Sequence, residues 1–177
     1  MLARYKEWLH RFWETVLTMR MVWVGIVVFF VLDRFIKWMI VSKTGLPDSV
    51  AWEPIPGILR LLPGLNYGMN FGLFSSQMNY SRYLLIFMAV CISIALIVYA
   101  AKRPHKLIAL GTSLVVGGAL GNVCDRVLYG GVIDYINLTC CGVRNPYIFN
   151  IADVFIFLGC AALIWADVVI RSAAREE

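Results

Sequence analysis

Four stretches of the chain are apolar for long enough to cross a bilayer as helices: Met21 to Val41, Tyr83 to Ala101, Leu107 to Leu128 and Phe149 to Ile170. Each is close to the ~20 residues that span the hydrocarbon core at 1.5 Å rise per residue. The third is the weakest, being rich in glycine and ending in charges. Residues 1 to 20 interleave charges with Trp8, Leu9, Phe12, Trp13 and Leu17, the pattern of a helix lying on a membrane surface. Between the first two spans, residues 42 to 82 mix Trp52, Pro54, Pro56, Pro63 and glycines with apolar residues, which predicts short strands and turns. "GVIDYINL", residues 131 to 138, is β-branched and aromatic and predicts a short strand leaving the third helix. No internal repeat, low-complexity tract or flexible linker interrupts this order, and residues 1 to 177 are expected to form a single integral-membrane domain.

Composition agrees, with 60% hydrophobic and 15% charged residues, far from the balance of soluble proteins. The basic residues set an orientation. Nine of the sixteen (Arg4, Lys6, Arg11, Arg20, Lys102, Arg103, Lys106, Arg171, Arg175) fall in segments that share one side with both termini, and four (Lys43, Arg60, Arg82, Arg144) fall on the other. Both termini are therefore expected in the cytoplasm, with the strand-bearing loops facing outward. This bias and contact with anionic membrane lipids account for the net charge of +5, and no nucleic-acid partner is called for. A cleaved signal peptide is disfavoured, because the apolar run from Met21 leads into Asp33, Arg34 and Lys37 rather than a small-residue cleavage site.

Ionisable side chains at membrane depth are costly and mark function by default. Three clusters occur. Asp33 and Lys37 stand at i and i+4 on one helix face, and a neutralising pair is the favoured reading. Asn122, Asp125 and Arg126 follow Gly117, Gly118 and Gly121, where missing side chains admit another backbone; for Asp125 with Arg126 an interhelical ion pair and a substrate-positioning arginine are both open. Asp134 in the strand, with Asn150 and Asp153 at the entry to the fourth span, forms the third. Neither aspartate has a cation beside it in sequence, and both are expected at the outward membrane edge.

Other chemistries are poorly supplied. His10 and His105 are the only histidines and both are placed on the cytoplasmic side, so a histidine triad or histidine metal site at the outer edge is disfavoured. A serine–lysine pair of Ser75 or Ser76 with Lys37 has nothing specific behind it. Cys91, Cys124 and Cys160 read as small apolar packers, while Cys140 and Cys141 lie in an outward loop without metal-binding spacing. Two carboxylates at a wet edge remain. Brought close together they would share one proton, since repulsion and burial raise one pKa while a helix N-terminus favours the other's charge. Such a dyad can hydrolyse a peptide bond, the ionised member activating water and the protonated member polarising the carbonyl. Asn150, one turn before Asp153, is placed to orient it.

"GGALGNVCDRVLYGGVIDYINL" followed by "PYIFNIADVFIF" resembles the signature of the lipoprotein signal peptidases, the bacterial signal peptidase II family; "LNYGMNFGLFS" and "LDRFIK" are similar to its upstream motifs. The resemblance runs through nearly the whole chain beyond the first twenty residues. It implies four transmembrane helices with a small outward-facing β-cradle, and removal of the signal peptide from a diacylglyceryl-modified prolipoprotein in the bacterial inner membrane, just before the lipidated cysteine. By position it implies that Asp134 and Asp153 are catalytic, that Asn66, Gly68, Gly118, Asn122, Arg126 and Asn150 contact substrate or shape the site, and that Asp33, Lys37 and Asp125 support it. It implies no metal or organic cofactor, and sensitivity to globomycin-type cyclic peptides. The chain departs from the family at Arg34, usually glutamine-like, at Asn70, usually small, and at Tyr135, usually phenylalanine. Two other readings remain: a four-helix carrier binding protons or cations on its carboxylates, and a lipoprotein-binding protein without activity.

Overall fold

The computed structural model describes residues 1–44, 52–68, 78–139 and 145–176. The elements in chain order are α1 (Leu2–Thr44), β1 (Trp52–Ile55), β2 (Leu59–Asn66), α2 (Met78–Lys102), α3 (Lys106–Tyr129), β3 (Val132–Leu138) and α4 (Ile151–Glu176). All four helices are long and apolar enough to cross a membrane, and with the family relationship given below the chain is an integral membrane protein. Asn70, Ser75, Ser76, Cys140 and Cys141 lie outside the described residues.

The expected N-terminal helix is present, but it is continuous with the first span. Its 43 residues make a rod of about 65 Å, twice the ~30 Å of a hydrocarbon core. No proline or paired glycine interrupts residues 2 to 44, so nothing in the backbone ends one helix before the next begins. Its N-terminal part carries an exposed aromatic ladder, with Tyr5 and Phe12 flanking Trp8 at 6.3 and 5.7 Å between ring centroids.

α3 is the central helix and packs against α1, α2 and α4. Its thin hydropathy follows from that position, since a helix enclosed by protein needs less apolar surface than one facing lipid. Its glycines are contact points: a Cβ on Gly111 would lie 2.9 Å from the Gly159 carbonyl of α4, and one on Gly117 would lie 3.1 Å from the Ile26 carbonyl of α1. The space at these glycines is thus taken by the backbones of neighbouring helices, as their missing side chains suggested. Cys124 is half-buried, whereas Cys91 and Cys160 are exposed on their helices rather than packed inside. His105 caps α3, its Nδ1 accepting from the Leu107 N–H at 3.2 Å.

Gly130 ends α3 in the left-handed region (φ 82°) and its N–H returns to the Arg126 carbonyl, a conformation glycine adopts without steric cost. The turn delivers β3 onto β2. The sheet is antiparallel in the order β1-β2-β3, with Gly64 opposite Asp134 and Asn66 opposite Val132. One face of it, with Leu61, Ile133 and Tyr135, packs against Ile40 near the end of α1. By strand alternation Asp134 lies on the other face, and Tyr135 is a core residue with its ring on the α1 side.

Candidate active site

The entry to α4 is built by a reciprocal cap. Asn150 precedes the helix; its Oδ1 accepts from the Asp153 N–H at 3.1 Å, while Asp153 Oδ2 accepts from the Asn150 N–H at 3.0 Å. The capping pair therefore includes one of the candidate carboxylates. Asn150 Nδ2 then donates to Asp134 Oδ1 at 2.6 Å and to Asn122 Oδ1 at 3.2 Å. Asn122 Nδ2 donates to Asp153 Oδ1 at 3.0 Å, and Asn66 Nδ2 donates to Asp134 Oδ2 at 2.8 Å. Asp134 and Asp153, nineteen positions apart, thus meet around a single fully buried asparagine.

Asn66 is fixed in turn by the Gly68 N–H, which donates to its Oδ1 at 2.8 Å. Gly68 has φ +75°, the left-handed region in which a side chain is strained. Gly118 lies beneath the cap, where a Cβ would sit 2.6 Å from the Ala152 carbonyl; it lets α4 approach α3. Arg126 is half-buried, donates to the Asn122 carbonyl at 3.3 Å and lies within electrostatic range of both Asp134 and Asp153.

Lys37 and Asp33 pair at 3.0 Å as expected. Asp125 makes an interhelical ion pair, one of the two readings left open, with cations of α1: Lys37 Nζ is 2.7 Å from Oδ2 and Arg34 Nη1 is 2.5 Å from Oδ1. Successive helical residues point ~100° apart, so Asp125 faces α1 while Arg126 faces the carboxylates. Asp125 Oδ2 also accepts from the Ile133 N–H at 3.2 Å, tying the start of β3 to the bundle. Lys37 Nζ donates to Asn122 Oδ1 at 3.1 Å, which joins the charged cluster to the asparagines.

Burial pushes the Asp134 carboxyl above the ordinary carboxylate range. The amides of Asn66 and Asn150 pull the other way, the negative charge of Asp153 pushes further up, and Lys37 pulls down, without offsetting the burial. The charge of Asp153 thus disfavours ionisation of Asp134.

Residues 25–169 match the family model for signal peptidase (SPase) II. The chain belongs to the signal peptidase II family. Among its relatives, proteins named lipoprotein signal peptidase from Caulobacter vibrioides and from Methylobacterium sp. are 38% and 34% identical, over 76% and 83% of this chain and 78% and 90% of their own. A solved bacterial membrane enzyme, determined by the in meso method at 2.3 Å, superposes with a TM-score of 0.70 at 27% identity, covering 88% of this chain and 91% of its own. A second, at 1.9 Å, gives 0.69 at 30% identity over 82% and 90%. As a member of the signal peptidase II family the chain is a peptidase.

Two features of the site were not foreseen from the sequence. One is Arg34 as a clamp on Asp125. The other is the connector before α4, where Asn137 Nδ2 donates to the carbonyls of Asn145 and Tyr147 at 2.8 and 3.0 Å. A buried asparagine in an otherwise mostly apolar strand, a few residues before a proline-containing connector, was the available signal.

Proposed function

We propose that this protein removes the signal peptide from diacylglyceryl-modified prolipoproteins, cutting immediately before the lipidated cysteine, and that Asp134 and Asp153 are the aspartic dyad that does so. The observation that carries the reading is the shared asparagine. Asn150 donates to Asp134 and exchanges two hydrogen bonds with Asp153, holding two carboxylates in one site where burial and mutual repulsion favour a proton on Asp134. Those are the requirements of an acid and a base acting together.

In the proposed reaction ionised Asp153 takes a proton from water as the water oxygen attacks the scissile carbonyl carbon. Protonated Asp134 delivers its proton to the carbonyl oxygen, giving a neutral gem-diol. The proton on Asp153 then passes to the amide nitrogen, the C–N bond breaks, and a hydroxyl proton of the gem-diol returns to Asp134. The products are the signal peptide's new carboxyl group and the free amine of the lipidated cysteine. Asn122 and Asn150 orient the dyad, and Arg126 faces the charge that develops there. Asn66 and Gly68 shape the β2 side of the site, while Gly118 sets the α3 to α4 spacing. Asp33, Lys37 and Asp125 support them, and the reaction as written uses no cofactor.

The substrate's chemistry fits a membrane-edge site. An apolar signal helix and two acyl chains both partition into the bilayer, so the bond to be cut lies near the interface. The distribution of basic residues supports the inner membrane with both termini in the cytoplasm and the dyad outward. The same site is the binding place expected for globomycin-type cyclic peptides.

The test is cleavage of a diacylglyceryl-modified prolipoprotein by purified protein in detergent, set against an unlipidated substrate and the Asp134→Asn and Asp153→Asn variants. Wild type should cut only the lipidated form, and each variant should lose roughly 10²-fold to 10⁴-fold or more. Equal cleavage by all three proteins would remove the aspartates from the chemistry, and binding without cleavage by wild type would leave a lipoprotein-binding protein.

A further inference from the structure

Beside Asp134 lies a cavity of about 240 Å³ whose described walls include Gly64, Asn66, Asp134, Pro146, Tyr147 and Ile148. All of its described lining residues belong to the sheet or to the connector before α4, and none to a helix. The cavity therefore lies beyond the ends of the spans, on the sheet face that carries Asp134.

Its walls are held in place. Asn137 ties the carbonyls of Asn145 and Tyr147 to β3, Asn145 Oδ1 accepts from the Tyr147 N–H at 3.0 Å, and Ile136 exchanges backbone hydrogen bonds with Phe149 at 2.7 and 3.0 Å. The Tyr147 side chain is 69% exposed at this cavity. Opposite it stands Gly64, paired in register with Asp134, so both face the same way. A Cβ on Gly64 would meet nothing within 4 Å. Unlike Gly118, this glycine answers no packing demand, and its missing side chain leaves the cavity empty.

We propose that this cavity is the subsite for the side chain that follows the lipidated cysteine, on the mature side of the cut, and that Gly64 sets its size. The inference rests on the peptidase reading above. A signal peptide is an apolar helix and must run beside the spans; the diacylglyceryl group of the cysteine returns to the bilayer. The residue after the cysteine is the first with no tie to the membrane, and a cavity made only of sheet and connector beside the dyad is where it arrives.

The experiment compares kcat/KM of wild type, Gly64→Ala and Gly64→Val on lipidated substrates carrying glycine or phenylalanine after the cysteine. A parallel pair varies the residue before the cysteine between glycine and alanine. Each enzyme is scored by its ratio of rates on the two substrates of a pair, which is independent of how much of a variant is folded. The preference for glycine over phenylalanine should rise about tenfold in Gly64→Val, with Gly64→Ala between, as expected when methyl groups fill a pocket built for a side chain. The ratio for the residue before the cysteine should stay within about twofold. An unchanged glycine to phenylalanine ratio, or a change confined to the residue before the cysteine, would overturn the assignment while leaving the peptidase standing. A wild type that cuts none of the substrates would overturn both.

Discussion

Replacing Lys37 by methionine removes one ammonium on which three acceptors converge while keeping most of the side chain's volume. Lys37 is wholly enclosed, with Asp33 at 3.0 Å, Asp125 at 2.7 Å and Asn122 Oδ1 at 3.1 Å. The two carboxylates do not suffer equally. Asp125 keeps Arg34 and the Ile133 N–H. Asp33 loses the one cation it is paired with and keeps only the weaker influence of the Arg34 charge, and its oxygens accept no hydrogen bond in good geometry among the described residues. Breaking a buried pair by removing one partner costs about 3–5 kcal/mol, because the other charge remains in low dielectric. For a chain of this length ~1 kcal/mol moves Tm by about 2–4 °C, so the variant should melt about 6–20 °C below wild type in detergent.

The second arm of the same measurement separates charge from shape. Asp33→Asn in the Lys37→Met background removes the orphaned carboxylate, and should recover about 1–3 kcal/mol as a coupling energy in the double-mutant cycle. Turnover of lipidated substrate should not recover with it. Asn122 Oδ1 still lacks the Lys37 donor, and Asn122 is the residue whose amide reaches Asp153. A Lys37→Met protein that melts within about 2 °C of wild type, or a double variant no more stable than the single, would refute the argument that Asp33 depends on Lys37 for its balance.

Two further outcomes follow from the site. Because burial raises the Asp134 carboxyl and the proposed reaction uses it protonated, kcat should fall as pH rises through a pKa above the ordinary carboxylate range. Asn66→Leu removes an amide that favours the ionised form, so that alkaline limb should move to higher pH; a limb that stays put, measured on the same lipidated substrate, would show that another group supplies the proton. Gly118→Ala places a methyl 2.6 Å from the Ala152 carbonyl and 3.1 Å from Ile156 Cγ1, and should cost about 1–3 kcal/mol by thermal unfolding with a fall in turnover as α4 shifts, whereas Gly64→Ala meets open space and should melt within about 0.5 kcal/mol of wild type.

What could be read from the sequence was whatever depends on local pattern. The four spans are runs of apolar side chains, and their locations are where the helices are found, with α4 starting two residues later than the run because Asn150 is spent as its cap. β3 was legible in the β-branched and aromatic residues of "GVIDYINL". Asp134 and Asp153 stood out because carboxylates near membrane depth are rare, so their presence alone is informative. The ion-pair partners were not legible in the same way. An interhelical pair at Asp125 was open from the sequence, but its partners, Arg34 and Lys37 of α1, lie far away along the chain, Arg34 by 91 positions. The extent of α1 was also hidden, since the mixed residues before Met21 suit both a surface helix and the start of a longer one. The cavity beside Asp134 depends on a register between β2 and β3 and on a connector held by Asn137, none of which leaves a periodic trace.

The asparagines explain how a cation in α1 bears on carboxylates in β3 and α4. An ammonium only donates, so Lys37 fixes Asn122 Oδ1 toward itself and turns Asn122 Nδ2 toward Asp153. Asn150 cannot flip either, because its Oδ1 accepts from the Asp153 N–H while its Nδ2 serves Asp134 and Asn122. Asn66 is held the same way by the Gly68 N–H. Every amide in the network therefore points its protons at a carboxylate or at another amide's oxygen. The groups that meet the two Asp134 oxygens are amide donors, so in the proposed reaction a proton on Asp134 is offered to the substrate rather than to them. Lys37 thus bears on Asp153 through Asn122, without touching either carboxylate of the proposed dyad.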